Sequence, residues 1–129
     1  MAERRKMKHR VDYDEKQGVL YIRVVKDVSP EEFLEVNKLI MSMPEEKRRR
    51  ILIDASDAVI PKWNRRMREA VFGGASATPP NTRTAVIGLS PALRVFSKAI
   101  INVAGKYSET KFFKTEEEAL AWLKGDVKR

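Results

Sequence analysis

The sequence predicts a single α/β domain: a mixed sheet of about five strands, opened by an N-terminal hairpin and continued by βα units, with about four helices. Three observations carry that prediction. The run Ile51-Leu52-Ile53-Asp54 is apolar and rich in β-branched residues, is flanked by charge, and ends in Ala55-Ser56-Asp57. That pattern suits a buried parallel strand whose carboxyl end opens into a loop, the usual place for ligands and partners in open α/β sheets. Leu20, Ile22 and Val24 alternate with Tyr21, Arg23 and Val25 just after a turn ending in Gly18, which favours an antiparallel hairpin. From Ser29 onward, cap-and-proline signals alternate with short apolar strands, the arrangement of right-handed parallel crossovers.

Taken in order, residues 1–9 (MAERRKMKH) read as a flexible basic arm, 10–125 as the domain and 126–129 as a loose tail. Arg10 to Tyr13 pairs with Val19 to Val25. Helix 1 starts at Ser29-Pro30, with Glu32 three residues after the cap, and Pro44 stops it. Phe33, Val36, Leu39, Ile40 and Met43 share one side of this helix; Leu34 and Met41, seven apart, fall on another. After the central strand, Pro61 to Phe72 reads as helix 2, with Trp63, Met67, Ala70 and Val71 inward and Arg65, Arg66, Arg68 and Glu69 outward. Gly73-Gly74 is a natural stop. Ala75 to Thr82 is a loop, and Ala85-Val86-Ile87 lies in the next strand. Ser90-Pro91 opens helix 3, which runs to about Gly105 with Phe96, Ala99, Ile100 and Val103 inside. Ile101 falls on its polar side, between Arg94 and Lys98. Lys111-Phe112-Phe113 is the last strand, and Thr115 with Glu118 is a further capping box opening helix 4, anchored by Ala119, Leu120, Trp122 and Leu123.

The chain has 129 residues, a net charge of +8 and no cysteine. Disulfides and thiolate chemistry are therefore excluded. No apolar run approaches the ~18–20 residues of a membrane span, and the basic N-terminus lacks an apolar signal segment, so a cytoplasmic protein is expected. No metal site, cofactor or catalytic residue is expected. His9, the one histidine, lies in the basic arm and reads as solvated; a Ser–His–Asp triad would depend on it alone. Walker A and GxGxxG sequences are absent. Asp54 at a strand end has the position of a phosphoryl acceptor, but the chain lacks the acidic pair and lysine such a site wants. Asp54 and Asp57 read instead as organisers of the loop. Basic residues gather at Lys47 to Arg50 and on helix 2 at Arg65, Arg66 and Arg68, leaving open a phosphate-backbone binder of nucleic acid. No helix-turn-helix, RRM or KH signature accompanies them.

The strand Thr84-Ala85-Val86-Ile87-Gly88, the aromatic strand Lys111-Phe112-Phe113 and the phrase Glu117-Glu118-Ala119-Leu120-Ala121-Trp122-Leu123 resemble the SpoIIAA-like branch of the STAS superfamily, the sulfate transporters and anti-sigma-factor antagonists. The central strand and opening hairpin fit as well. The resemblance implies a small βα domain that works by binding. In anti-sigma-factor antagonists a serine at the start of the helix after the central strand is phosphorylated, switching partner choice. Here that region reads Val59-Ile60-Pro61-Lys62-Trp63-Asn64, with no Asp-Ser-Ser-Gly-like sequence, so no such switch is expected.

The expectation is a non-enzymatic STAS-like regulatory module acting by protein–protein contact, with a homo-oligomer left open. Its surface is expected at the loop residues Asp54, Ser56 and Asp57, the basic Arg65 and Arg68, and the off-stripe apolar Leu34, Met41 and Ile101. A nucleic-acid binder and a carrier of a small apolar or anionic ligand are the alternatives.

Overall fold

The computed structural model describes residues 8–59, 62–76, 82–104 and 109–125, the side chains of 72–76 and 100–104 excepted. Five strands form one sheet in chain order: β1 (Arg10–Asp14), β2 (Val19–Lys26), β3 (Arg50–Ala58), β4 (Arg83–Ile87) and β5 (Glu109–Phe113). β1 and β2 are antiparallel; every later neighbour is parallel. The crossovers carry α1 (Pro30–Met41), α2 (Arg65–Ser76) and α3 (Pro91–Ala104), and α4 (Glu116–Lys124) follows β5. Hairpin, order of elements and mixed sheet are as the sequence predicts.

Local chemistry explains the boundaries. In the hairpin, the Asp14 carboxylate accepts the Lys16 and Gln17 N–H groups, and Gly18 takes φ +69°, a conformation glycine adopts without Cβ strain. Ser29 and Glu32 form the full reciprocal capping box of α1. Thr115 Oγ1 accepts the Glu118 N–H, and Ser90 Oγ the Leu93 N–H.

Alternation along the strands splits the core in two. On one face Val19, Leu52, Ala85 and Ile87 pack with Ala119 and Leu123 of α4, and Trp122 lies against Phe113. On the other, Leu20, Ile22 and Ile51 pack with Val36, Ile40 and Met43 on and just beyond α1. α1, α2 and α3 therefore share one face of the sheet, and α4 covers the opposite one.

Several local expectations change. β3 continues through Ser56 and Asp57 to Ala58, so the loop expected from Asp54 is strand. Arg23 pairs with Asp54 and Val25 with Asp57, which puts one extra residue into β3: a bulge that lets the strand keep pairing beyond its small residues. α2 starts at Arg65 rather than Pro61, because the Asn64 side chain accepts the Met67 N–H and acts as the cap. The helix then runs through Gly73-Gly74 to Ser76. Glycine lowers helix stability by about 1 kcal/mol relative to alanine without forbidding the helix. Trp63 consequently precedes the helix and is 39% exposed, its ring edge-on to Phe96 at 5.3 Å. Finally, His9 is buried, 4% exposed, rather than solvated. Its Nδ1 accepts the Val25 N–H at 3.0 Å, drawing the end of the basic arm onto β2. On α3, Leu93 is buried and Ala99 is exposed, whereas the side chains of Ile100, Ile101 and Val103 lie outside the described residues.

Candidate functional site: an apolar cavity and a charged bulge

Two features outside the packed core stand out. The first is an apolar cavity between the sheet and α1–α3. One compartment of about 370 Å³ has Ile53, Ala55, Val86 and Phe112 as its floor, with Met67 and Val71 of α2 and Leu93 and Phe96 of α3 above it. Val59 and Trp63, both substantially exposed, line the same compartment. A second compartment of about 240 Å³ lies under α1 and reaches His9, Arg48 and Thr82. The two share Val24, Val28, Phe33, Asn37, Ile53 and Thr84 along their walls, so they adjoin one another. Sites for small molecules typically enclose ~300–1,000 Å³ of mostly apolar wall with a few polar groups.

The second feature is the bulge of β3. Ser56 donates from both Oγ and N to Asp54 Oδ1, at 2.6 and 3.0 Å. Arg23 reaches across from β2, donating to Asp54 Oδ2 at 2.9 Å and to Asp57 Oδ2 at 3.1 Å. One guanidinium thus clasps two carboxylates on either side of the extra residue. Gly88, at φ +81°, lies against Ser56 so closely that a Cβ there would stand 2.8 Å from the Ser56 backbone nitrogen. Tyr21, on the same face, donates its hydroxyl to Glu116 of α4; burial first, and then the carboxylate, push its pKa up.

Burial alone would raise the Asp54 pKa. The hydroxyl and N–H of Ser56 and the charge of Arg23 outweigh it and hold the carboxyl below its usual value. A carboxyl depressed in the folded state contributes stability that is present above the unfolded value, near 4, and lost as pH falls through the folded one. Asp54→Asn is therefore expected to lower the melting temperature at pH 7 and to flatten the loss of stability below about pH 4. Parallel acid melts of the two proteins check this; identical acid limbs would remove Asp54 from the account. The Glu32 carboxyl is likewise held low. Burial pushes it up, but the Ser29 N–H it accepts and the nearby His9 and Lys8 outweigh that.

The expected surface residues do not form one surface. Asp54, Ser56 and Asp57 come together, but on the sheet face opposite the helices that carry Arg65 and Arg68. Those two arginines are exposed on α2, Arg65 paired with Glu69 at 3.4 Å; Arg66 beside them pairs with Glu31 of α1. Leu34 (51% exposed) stands outward among Glu31, Glu35 and Lys38. Met41 (36% exposed) borders the smaller compartment, and its sulfur accepts from Arg48. The Ile101 side chain lies outside the described residues. Sequence reasoning missed Arg23, whose place on the outward face of β2 was readable although its β3 partners were not. It also missed the exposed Val59 and Val95, the latter 71% exposed. Among the described residues no cluster of His, Cys, Asp or Glu is arranged to hold a metal, and no helix is long and apolar enough to cross a membrane.

A mixed sheet in chain order, three helices on one face and a closing helix on the other define a STAS-type α/β domain. The chain belongs to the SpoIIAA-like family, whose model matches residues 19–124. An uncharacterised protein of SpoIIAA-like fold from Shewanella loihica superposes with a TM-score of 0.65 at 17% identity, over 94% of this chain and 99% of that one. The anti-sigma factor antagonist SpoIIAA in its unphosphorylated form superposes with a TM-score of 0.56 at 15% identity, over 92% and 99%. No curated protein matches the sequence.

Proposed function

We propose that this chain is a non-enzymatic, SpoIIAA-like regulatory module that works by binding, and that the space between the sheet and α1–α3 receives a small apolar ligand. The cavity carries this reading: apolar side chains from four strands and three helices surround a volume that the core leaves unfilled. An occupant that binds only the folded chain would stabilise it.

Nile red, a neutral apolar fluorophore, tests it. Saturable binding of one molecule per chain is expected. Ala55→Phe places a ring on the cavity floor, where Ala55 is 5% exposed, and is expected to weaken binding at least about tenfold while circular dichroism stays that of a folded protein. Absence of saturable binding to the wild type, or equal binding to a folded Ala55→Phe variant, would count against the cavity as receptor.

A protein partner is the second reading, and it is compatible with the first. Leu34, Val59, Trp63 and Val95 are exposed large apolar residues of the kind that anchor interfaces; the neighbouring fold of an anti-sigma factor antagonist points the same way. No Asp-Ser-Ser-Gly-like segment precedes α2, so partner choice would be set without a phosphoserine there. Nucleic acid is the weaker reading, because Glu69 and Glu31 already neutralise Arg65 and Arg66.

A further inference from the structure

Arg48 ends the smaller compartment in an unusual state. Its Nε is buried with no hydrogen-bond partner, and the only acceptor its guanidinium meets among the described residues is the weak Met41 sulfur, at 3.5 Å. No carboxylate stands within ion-pair distance of it among those residues, although Arg23, Arg49, Arg65, Arg66 and Arg83 each have one. A buried donor on a permanent cation that lacks an acceptor is destabilising, and an anionic acceptor would relieve that cost. His9, 4% exposed, lines the same compartment. Because its Nδ1 accepts the Val25 N–H, a neutral ring carries its proton on Nε2. That nitrogen lies 3.4 Å from Glu32 without a hydrogen bond. The polar end of the space therefore offers the Arg48 donors, while the His9 Nε2 faces Glu32, and the far end, between α2 and α3, is apolar.

We propose that the ligand is an anionic amphiphile, a medium-chain monocarboxylate whose carboxylate pairs with Arg48 and whose tail lies along Ile53 and Val86 toward Phe96. This rests on the cavity being a receptor, and it adds the polarity and direction of the occupant. The carboxylate suits Arg48 because a guanidinium binds it through charge-assisted hydrogen bonds. Glu32 does not occupy this role: its Oε1 already accepts the Ser29 N–H and faces Lys8.

Decanoate and 1-decanol, matched in chain length, separate the two ideas. Calorimetric titration of the wild type is expected to give decanoate at least about tenfold tighter binding than decanol. Arg48→Met, which keeps an apolar stem of similar reach, is expected to abolish that preference, and Arg48→Lys to retain part of it. Equal affinity of the wild type for both would overturn the anionic-head inference and leave the apolar receptor standing; binding of neither would overturn both. A folded Arg48→Met that still prefers decanoate would remove Arg48 from the site. A measurement free of variants is the Arg48 Nε–H resonance of the wild type. Decanoate is expected to shift it and decanol is not; the same shift with both, or none with either, contradicts the pairing.

Discussion

Replacing Gly88 by alanine is expected to destabilise the domain by about 2–5 kcal/mol, measured by chemical denaturation. Two costs add. At φ +81° an L-residue is strained by about 1–2 kcal/mol. The new methyl would meet the Ser56 Oγ first and, behind it, unyielding backbone, 2.8 Å from the Ser56 nitrogen and 2.9 Å from its Cα. Overpacking of this kind costs about 1–3 kcal/mol, and here the bulged strand has no slack, because Arg23 and Asp54 clasp it. Gly18→Ala is the control. Its φ is +69°, but its Cβ would find nothing nearer than 3.9 Å, so only the conformational cost of about 1 kcal/mol applies. Equal losses at the two positions would mean that the approach of β4 to the bulge contributes nothing.

Leu52→Ala is expected to destabilise by about 2–5 kcal/mol, whereas Leu34→Ala should stay within about 0.5 kcal/mol. The two leucines differ only in environment. Leu52 is fully buried in the sheet, paired in register with Tyr21 and Ala85 and clustered with Val19, Ala119 and Leu123. Leu34 is 51% exposed on α1. The strand and helix around Leu52 are fixed by other residues and cannot close on a missing isobutyl group, so a cavity remains. Comparable losses for both variants would show that Leu34 is held by packing that its exposure conceals, and would remove it as a free anchor.

The frame of this fold was legible because it rests on local signals. Ser29-Pro30 with Glu32, Ser90-Pro91, Thr115 and the Gly18 turn each act within four residues, and each forms the cap or turn its chemistry implies. The bulge was not legible. Ala55-Ser56-Asp57 looks like the end of a strand, and what keeps it paired is Arg23, thirty-one residues away along the chain from Asp54. The start of α2 was misplaced because Pro61 is the stronger nominal signal, while the working cap is the Asn64 side chain. His9 shows the same limit: an isolated histidine in a basic segment carries no sign that a backbone N–H on β2 will bind it. Of the residues set apart from the apolar stripe of α1, Leu34 is exposed, whereas Met41 borders the smaller compartment together with Val36 and Ile40. The cavity itself was invisible, since Ile53, Val86 and Phe112 read as core residues whether or not helices close tightly over them.

The order of strands in the sheet has a consequence for how the chain reaches this state. Each strand is laid beside the one made before it, so during synthesis every new βα unit can dock on an edge that already exists, with no strand inserted between two others. The face bearing Val19, Leu52, Ala85 and Ile87 is different. It gains its cover only when Ala119 and Leu123 arrive with the last helix. A ribosome-bound or truncated chain ending before Glu116 would thus hold a paired sheet with one oily side open to solvent, a species that chaperones and proteases recognise. The last helix acts as the seal of a vectorial assembly, and quality control would read its docking as completion.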